Sequence, residues 1–235
     1  MHARDLTSKE LEEKIRDNYI AILPIGSCEQ HGPHLPITTD IDLAEFMATE
    51  IARKNKAVIF PSLNFGYSWV WTGLSGTITL SQETFKKVVY ELTESIVKMG
   101  FDKILLVNGH DSNKMALKYV IRDLSEHYDA KFLNIFYPNM NEIYAKYMES
   151  EKWYGMFHAE EFETSLMMAY DESRVRKDNL VSEYPDKPKY YGIDESSLWD
   201  VSQSGVFGDA TKASKEKGYL MMNDFIEEIS QLLKD

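Results

Sequence analysis

The sequence predicts an α/β domain whose mostly parallel central sheet is covered by helices on both faces, a three-layer α/β/α arrangement. Three observations carry that reading. Short unbroken apolar runs recur along the chain, the pattern of strands buried on both sides. Between them, apolar residues repeat at three- and four-residue intervals, the period of a helix with one buried face. The two patterns alternate, and a strand–helix–strand rhythm packs as parallel strands joined by crossover helices. With 235 residues, the chain suits one domain over 1–235 rather than two.

Residues 19–25 (YIAILPI) form the first expected strand. A helix follows the Thr39–Asp40 start signal, with Leu43, Phe46, Met47 and Ile51 on its apolar face. Residues 57–60 are the second strand. Ser81 then opens a helix whose apolar set is Phe85, Val88, Val89, Leu92, Ile96 and Met99. Residues 103–107 are the third strand, and the helix after Asn113 shows Leu117, Val120, Ile121, Leu124 and Tyr128. Residues 131–136 are the fourth strand, and Met222, Phe225, Ile226, Ile229 and Leu232 mark a C-terminal helix. Residues 181–208, with Pro185, Pro188, the Tyr190–Tyr191 pair and Gly205, read as a long loop. Such a loop in a compact domain serves as a lid, a binding loop or an interface arm.

Composition narrows the class. Hydrophobic residues at 43% and charged residues at 27% are ordinary for a globular chain, which excludes disorder and fibrous repeats. The net charge of −12 and the lack of a basic stripe argue against nucleic acid as a partner. The N-terminus is charged where a signal peptide is apolar, and no run reaches membrane-spanning length. The single cysteine, Cys28, allows no internal disulfide and fits a reducing compartment. A cytoplasmic protein is expected.

The chemistry concentrates after strand ends, where α/β sheets bind ligands; His31, His34, His110 and His158 all fall there. Residues 24–40, PIGSCEQHGPHLPITTD, place Glu29, His31 and Asp40 in a loop stiffened by glycine and proline. In an extended segment Glu29 and His31 share a face and Gln30 points away. Asp40 at a helix start can turn back toward them. Carboxylate, imidazole and carboxylate together suit a divalent cation such as Zn²⁺, Mn²⁺ or Fe²⁺, against the plainer reading of a polar loop with Asp40 as a helix cap. The second segment, residues 103–113 (KILLVNGHDSN), brings His110 to the sheet edge after a turn that Gly109 permits; it lacks the glycine spacing of a dinucleotide fold. In the third, residues 158–169 (HAEEFETSLMMA), His158 precedes Glu163 at the start of an apolar helix, with Glu160 and Glu161 expected in solvent. Cys28 falls out of register with Glu29 and His31 and is expected beneath the loop, not as a nucleophile.

The blocks PIGSCEQHGPHLPITTD, NGHDSN, HAEEFETSLM and SGVFGDATKASKEKG resemble, in order, the signature blocks of the creatininase (creatinine amidohydrolase) family. The resemblance spans roughly residues 20–218 and is most specific in the first block. It implies a three-layer fold, a hydrolase that cleaves non-peptide C–N bonds using two divalent metals per subunit, and a homo-oligomer, often a hexamer. By position, Glu29, His31, Asp40 and His110 match the family's metal ligands, with Asp40 as the bridge, and His158 matches a proton donor in the substrate pocket. The match departs where creatininase proper has a Tyr and a metal-binding Glu after the NGH histidine: here stand Asp111 and Ser112. Its Trp-Asp pair before the third block is Tyr154-Gly155 here. Creatinine is therefore not the expected substrate; a small cyclic amide or formamide is, with Glu163, or Asp111 if it turns inward, replacing the missing ligand or acting as base. Ser75, Asp111 and Tyr154 are expected to contact substrate, Ser75–Thr77 to line its pocket, and Trp153, Tyr154 and Trp199 to supply a lid. The competing expectation is a non-catalytic metal- or metabolite-binding protein on the same scaffold.

Overall fold

The computed structural model describes residues 1–234. In chain order the main elements are α1 (Ser8–Arg16), β1 (Ile20–Ile25), α2 (Thr39–Lys54), β2 (Ala57–Ile59), α3 (Gln82–Lys98), β3 (Lys103–Asn108), α4 (Lys114–Ser125), β4 (Lys131–Ile135), α5 (Met140–Tyr147), α6 (Glu161–Asp171), β5 (Ser182–Glu183), β6 (Gly208–Asp209) and α7 (Lys215–Leu232). The central sheet has the order β2-β1-β3-β4, and every pairing in it is parallel. Among the described residues no helix is long and apolar enough to cross a membrane.

Alternation along the strands builds the three layers. Ile22, Leu105 and Val107 face one core with α2, α5, α6 and α7. Ala21, Leu23, Ile104 and Leu106 face the other, packed with α3, α4 and the apolar side of α1. Because successive strand side chains point to opposite faces, an unbroken apolar run is what a doubly covered strand requires. The helix α1 was not expected; Thr7 starts it with a reciprocal capping box to Glu10, a signal present in the sequence.

The apolar stripes differ from expectation at their edges. On α3, Leu92 and Met99 are 41% and 47% exposed, whereas Thr93 is buried and its hydroxyl donates to the Val89 carbonyl. At 100° per residue, Phe85, Val89, Thr93 and Ile96 form one stripe and the two exposed residues flank it. On α7 the final-turn Leu232 is exposed and Leu233 takes the buried place. The long loop 181–208 is not wholly irregular: β5 and β6 pair antiparallel near its ends.

Two helices meet unusually closely. A Cβ on Gly218 of α7 would lie 2.0 Å from the Ser165 carbonyl oxygen of α6. That contact seats α6, and with it the residues of its first turn, against α7.

Candidate active site

The parallel strands β1 and β3 end side by side, with Ile25 paired to Asn108, so the segments that follow them converge. Gly109 serves this convergence in a different way from the tight turn expected of it. Its φ is not in the left-handed region; a Cβ there would meet the Asp40 carbonyl oxygen at 2.0 Å, so glycine is needed for backbone-to-backbone approach. Asp40, in the first turn of α2, is thereby held against the end of β3.

The result is a buried cluster. His110 Nδ1 lies 2.9 Å from Asp40 Oδ2 and 3.5 Å from Glu29 Oε1. His31 Nε2 lies 3.3 Å from Asp40 Oδ1 and 3.8 Å from Glu163 Oε2. His158 Nδ1 lies 3.8 Å from Glu29 Oε1. Glu29, Asp40 and His110 thus offer one set of three ligand atoms, and His31, Asp40 and Glu163 offer a second; Asp40 belongs to both. Glu29, His31 and His158 form a further grouping on the pocket side.

Backbone contacts orient each ring. His110 Nε2 donates to the Tyr67 carbonyl at 2.9 Å, His31 Nδ1 to the Glu29 carbonyl at 3.2 Å, and His158 Nε2 to the Gln30 carbonyl at 3.0 Å. The other nitrogen of each ring therefore faces the carboxylates, the usual way in which an outer hydrogen bond fixes a ligating tautomer. Gln30 does point away from Glu29 and His31, and its amide donates to the Gly205 carbonyl.

Electrostatics follow from burial and proximity. Burial opposes charge on His31, but the Asp40, Glu163 and Glu29 carboxylates outweigh it and raise the ring to about 10. His110 is raised to about 10 in the same way, burial being overcome by Glu29 and Asp40. Burial pushes Glu29 and Glu163 up to about 7, with His110 and His31 respectively pulling the other way. Asp40 is also buried, yet His110 and His31 hold it below the usual carboxylate range. His158 is held well below the ordinary imidazole value, first by burial and then by His31. His34 stands apart, bonded to Thr164 Oγ1 at 2.9 Å, and burial lowers it to about 4.

The residues fit a metal. Glu29 Oε2, His31 Nε2 and Asp40 Oδ2 are buried without hydrogen-bond partners. Asp40 Oδ2 is only 2.9 Å from His110 Nδ1, yet the pair is not aligned as a hydrogen bond. Orphaned donor and acceptor atoms converging on one space cost stability unless a cation meets them. Mixed imidazole and carboxylate donors suit Zn²⁺, Mn²⁺ or Fe²⁺.

The cluster opens into a cavity of about 410 Å³. Trp71 stacks on His158 with centroids 4.4 Å apart, and Tyr154, Tyr191 and Leu198 form part of the wall. The loop 181–208 thus reaches the cavity through Tyr191 and Leu198. Asp111 and Ser112 line its mouth; Asp111 is 65% exposed at its side chain and pairs with Lys114 rather than joining the buried cluster.

Several expectations are corrected. Ser75, Gly76 and Thr77 do not line the cavity. Ser75 is exposed, and Gly76 and Thr77 back the 28–30 loop from behind: Cys28 Sγ donates to the Gly76 carbonyl, and Thr77 Oγ1 accepts the Gln30 N–H. An antiparallel bridge between Cys28 and Ile78 holds that segment in place. Trp153 is a poor lid, being 2% exposed, donating to the Pro185 carbonyl and packed with Trp71 and Phe207 in a small core. Trp199 borders a different surface cavity, with Trp69. Glu160 and Glu161 are fully buried, not solvated. Glu160 accepts the Phe162 N–H and the Tyr144 hydroxyl, and Glu161 accepts the N–H groups of Glu149 and Ser150 and pairs with Lys217. Lys114 and Phe136 line the cavity without having been expected there, and Tyr137 is buried beside Phe136. The signal was available: Phe136 and Tyr137 directly follow β4, at the same sheet edge as the other site residues.

A family model described as Creatininase, creatinine amidohydrolase, matches residues 4–233. The chain belongs to the creatininase family. As a member of that family it is a hydrolase. It is 26% identical to the creatinine amidohydrolase of Pseudomonas putida over 247 residues, covering 98% of this chain and 95% of that one. It is 25% identical over 236 residues to the 2-amino-5-formylamino-6-ribosylaminopyrimidin-4(3H)-one 5'-monophosphate deformylase of Methanococcus maripaludis, covering 95% and 94%. A Zn–Zn form of a creatininase variant superposes with a TM-score of 0.86 at 26% identity, covering 99% of this chain and 96% of that one. The creatininase fold thereby accounts for the three layers and the parallel sheet described above.

Proposed function

We propose that the protein is a metal-dependent amidohydrolase that cleaves the C–N bond of a small cyclic amide or formamide. The observation that carries the reading is the pair of three-residue ligand sets sharing Asp40, placed beside a histidine whose free nitrogen faces the cavity. One cation would be held by Glu29, Asp40 and His110, and a second by His31, Asp40 and Glu163. Bound there, divalent cations supply Lewis acidity toward a carbonyl oxygen and acidify water. Deformylase and creatinine amidohydrolase activities in the named relatives support C–N cleavage.

His158 is the proton carrier in this reading. Its Nε2–H is committed to the Gln30 carbonyl, so Nδ1 is the nitrogen available to the cavity. Burial keeps the resting ring neutral. Nδ1 takes a proton from water as the new O–C bond forms, and returns it to the nitrogen as the C–N bond breaks. The ring therefore acts first as a base, before the donor role that the family resemblance implies. Trp71, stacked on it, and the Gln30 carbonyl, which accepts from Nε2, keep it from rotating. Glu163 supplies the carboxylate that Ser112 cannot, from another part of the fold. Asp111 and Tyr154, on the cavity wall, contact the substrate.

The test is a panel of cyclic amides and formamides offered to metal-reconstituted protein. Hydrolysis that is lost on chelation and restored by Zn²⁺ or Mn²⁺ is expected, with creatinine among the poorer substrates. A fully metal-loaded protein that turns over none of them defeats the proposal.

A further inference from the structure

We propose that the active-site cavity continues into a cationic side groove that binds an anionic substituent of the substrate, a phosphate or carboxylate remote from the bond that is cut. This rests on the amidohydrolase reading above. The groove, of about 550 Å³, shares with the cavity a wall formed by Asp111, Lys114, Phe136, Gly155 and Phe157. Beyond that wall its lining adds Lys118 and Lys152. Asp111 is the one carboxylate among its lining residues.

Three ammonium groups against one carboxylate form a local excess of positive charge in a chain of net charge −12. Among the described residues nine of the twenty lysines form salt bridges, and Lys118 and Lys152 are not among them. Lys152 has only a neutral partner, donating to Asn141 Oδ1 at 2.9 Å, with its Nζ 4.4 Å from the Tyr144 ring centroid. Lys114 pairs with Asp111 and lies 4.7 Å from the Phe136 ring centroid, at the junction of the two spaces. Paired positive potential at the mouth of a site raises the local concentration of anions.

A second observation points to a ligand. Tyr137 also lines the groove, and its hydroxyl is buried without a partner. Tyr137 is 2% exposed. A buried polar atom without a partner is costly, and a ligand oxygen accepting from the phenol would satisfy it. Lysine recognises an anion as a point charge, so phosphate and carboxylate are both served by this set. The substrate that fits is an amide or formamide at the His158 end with its anion at the lysine end.

The experiment uses full-length metal-reconstituted protein and the Lys118→Gln/Lys152→Gln double variant, which leaves the buried cluster untouched. Binding of inorganic phosphate and of acetate is followed by calorimetry, and hydrolysis is compared for N-formylethanolamine, its phosphate monoester and N-formyl-β-alanine. The expected result is anion binding that weakens roughly tenfold in the variant at equal metal content, the scale of two partly exposed charges. A matching loss of the anionic substrates' advantage in kcat/KM is expected, and whichever anion loses more names the substituent. Anion binding of equal strength in both proteins would mean that the metal centre alone holds the anion, and overturns the groove, as does failure of both anions to bind. Hydrolysis without any anionic preference also overturns the groove but leaves the reaction standing. Lysine-dependent anion binding with no hydrolysis of any amide keeps the groove and removes the reaction.

Discussion

Asp40 is the residue around which the others are arranged. Its two oxygens face His110 and His31 from opposite sides, and no other side chain belongs to both ligand sets. Glu163 matters because without it the second set would have only His31 and Asp40, fewer than the three protein ligands usual for a catalytic zinc. Glu163→Gln is therefore expected to weaken one of the two metals by at least about tenfold and to lower activity with it. Asp111→Asn, at an exposed position paired with Lys114, should leave metal content intact. Elemental analysis of both variants decides this, and equal losses would count against the assignment. Cys28 gives the opposite kind of prediction. It is buried, burial raises its thiol above the ordinary value, and its Sγ faces the Gly76 carbonyl rather than the cavity. Cys28→Ser should keep both metal content and turnover; an inactive but metal-loaded variant would restore a thiol mechanism.

At the scale of elements, α6 explains why three nearby glutamates behave differently. Its first turn is buried on all sides, so each carboxylate needs its own partner: Glu160 the helix start and Tyr144, Glu161 the 149–150 backbone and Lys217, Glu163 the Ala159 N–H and the metal cluster. Glu160 has no cation, and burial raises it to about 8 from an ordinary value of 4.5. The folded state thus binds a proton more tightly than the unfolded chain, so stability falls as pH rises from about 4.5 through about 8. Glu160→Gln should remove this penalty: thermal melts should show the variant gaining on the parent at pH 9 relative to pH 5. A constant difference across that range would contradict the protonated, buried state. The seating of α6 on α7 is equally specific. Gly218→Ala places a methyl group against the Ser165 carbonyl and should cost about 1–3 kcal/mol, read as a lower Tm with metal ligands unchanged in sequence.

For the whole molecule, two apolar layers hold the sheet independently of the polar edge where the metal set lies. His110→Ala should therefore lose bound metal while far-UV circular dichroism stays that of the folded protein. Chelation of the parent removes a ligand that binds the folded state alone. At a hundredfold excess over Kd such binding stabilises by about 2.7 kcal/mol. For a chain of this size that corresponds to a fall in Tm of roughly 5–10 °C on chelation, reversed by adding metal back. A Tm indifferent to chelator would mean that the buried carboxylates are satisfied without a cation.

The sequence by itself determined the class of fold and pointed to most of the residues that the structure gathers into the buried carboxylate–imidazole cluster. Unbroken apolar runs alternating with helical periodicity leave few architectures other than a covered parallel sheet, and Glu29, His31 and Asp40 lie close enough in the chain for local geometry to bring them together. His110 was legible because it follows a strand, and ligands gather at strand ends. What lay beyond local reach was decided by tertiary structure. Glu163 joins His31 only because α6 is seated by α7, and Gly109 serves a contact with Asp40 that no local pattern announces. Ser75 read as a pocket residue and Trp153 as a lid from their neighbours in sequence, but the first is exposed away from the cavity and a small aromatic core encloses the second. Glu160 and Glu161 read as solvated because a carboxylate normally is, and only packing on every side of α6 buries them and gives them partners. Local periodicity records which face of an element is apolar; which elements meet, and what is buried between them, depends on contacts between residues far apart in the chain.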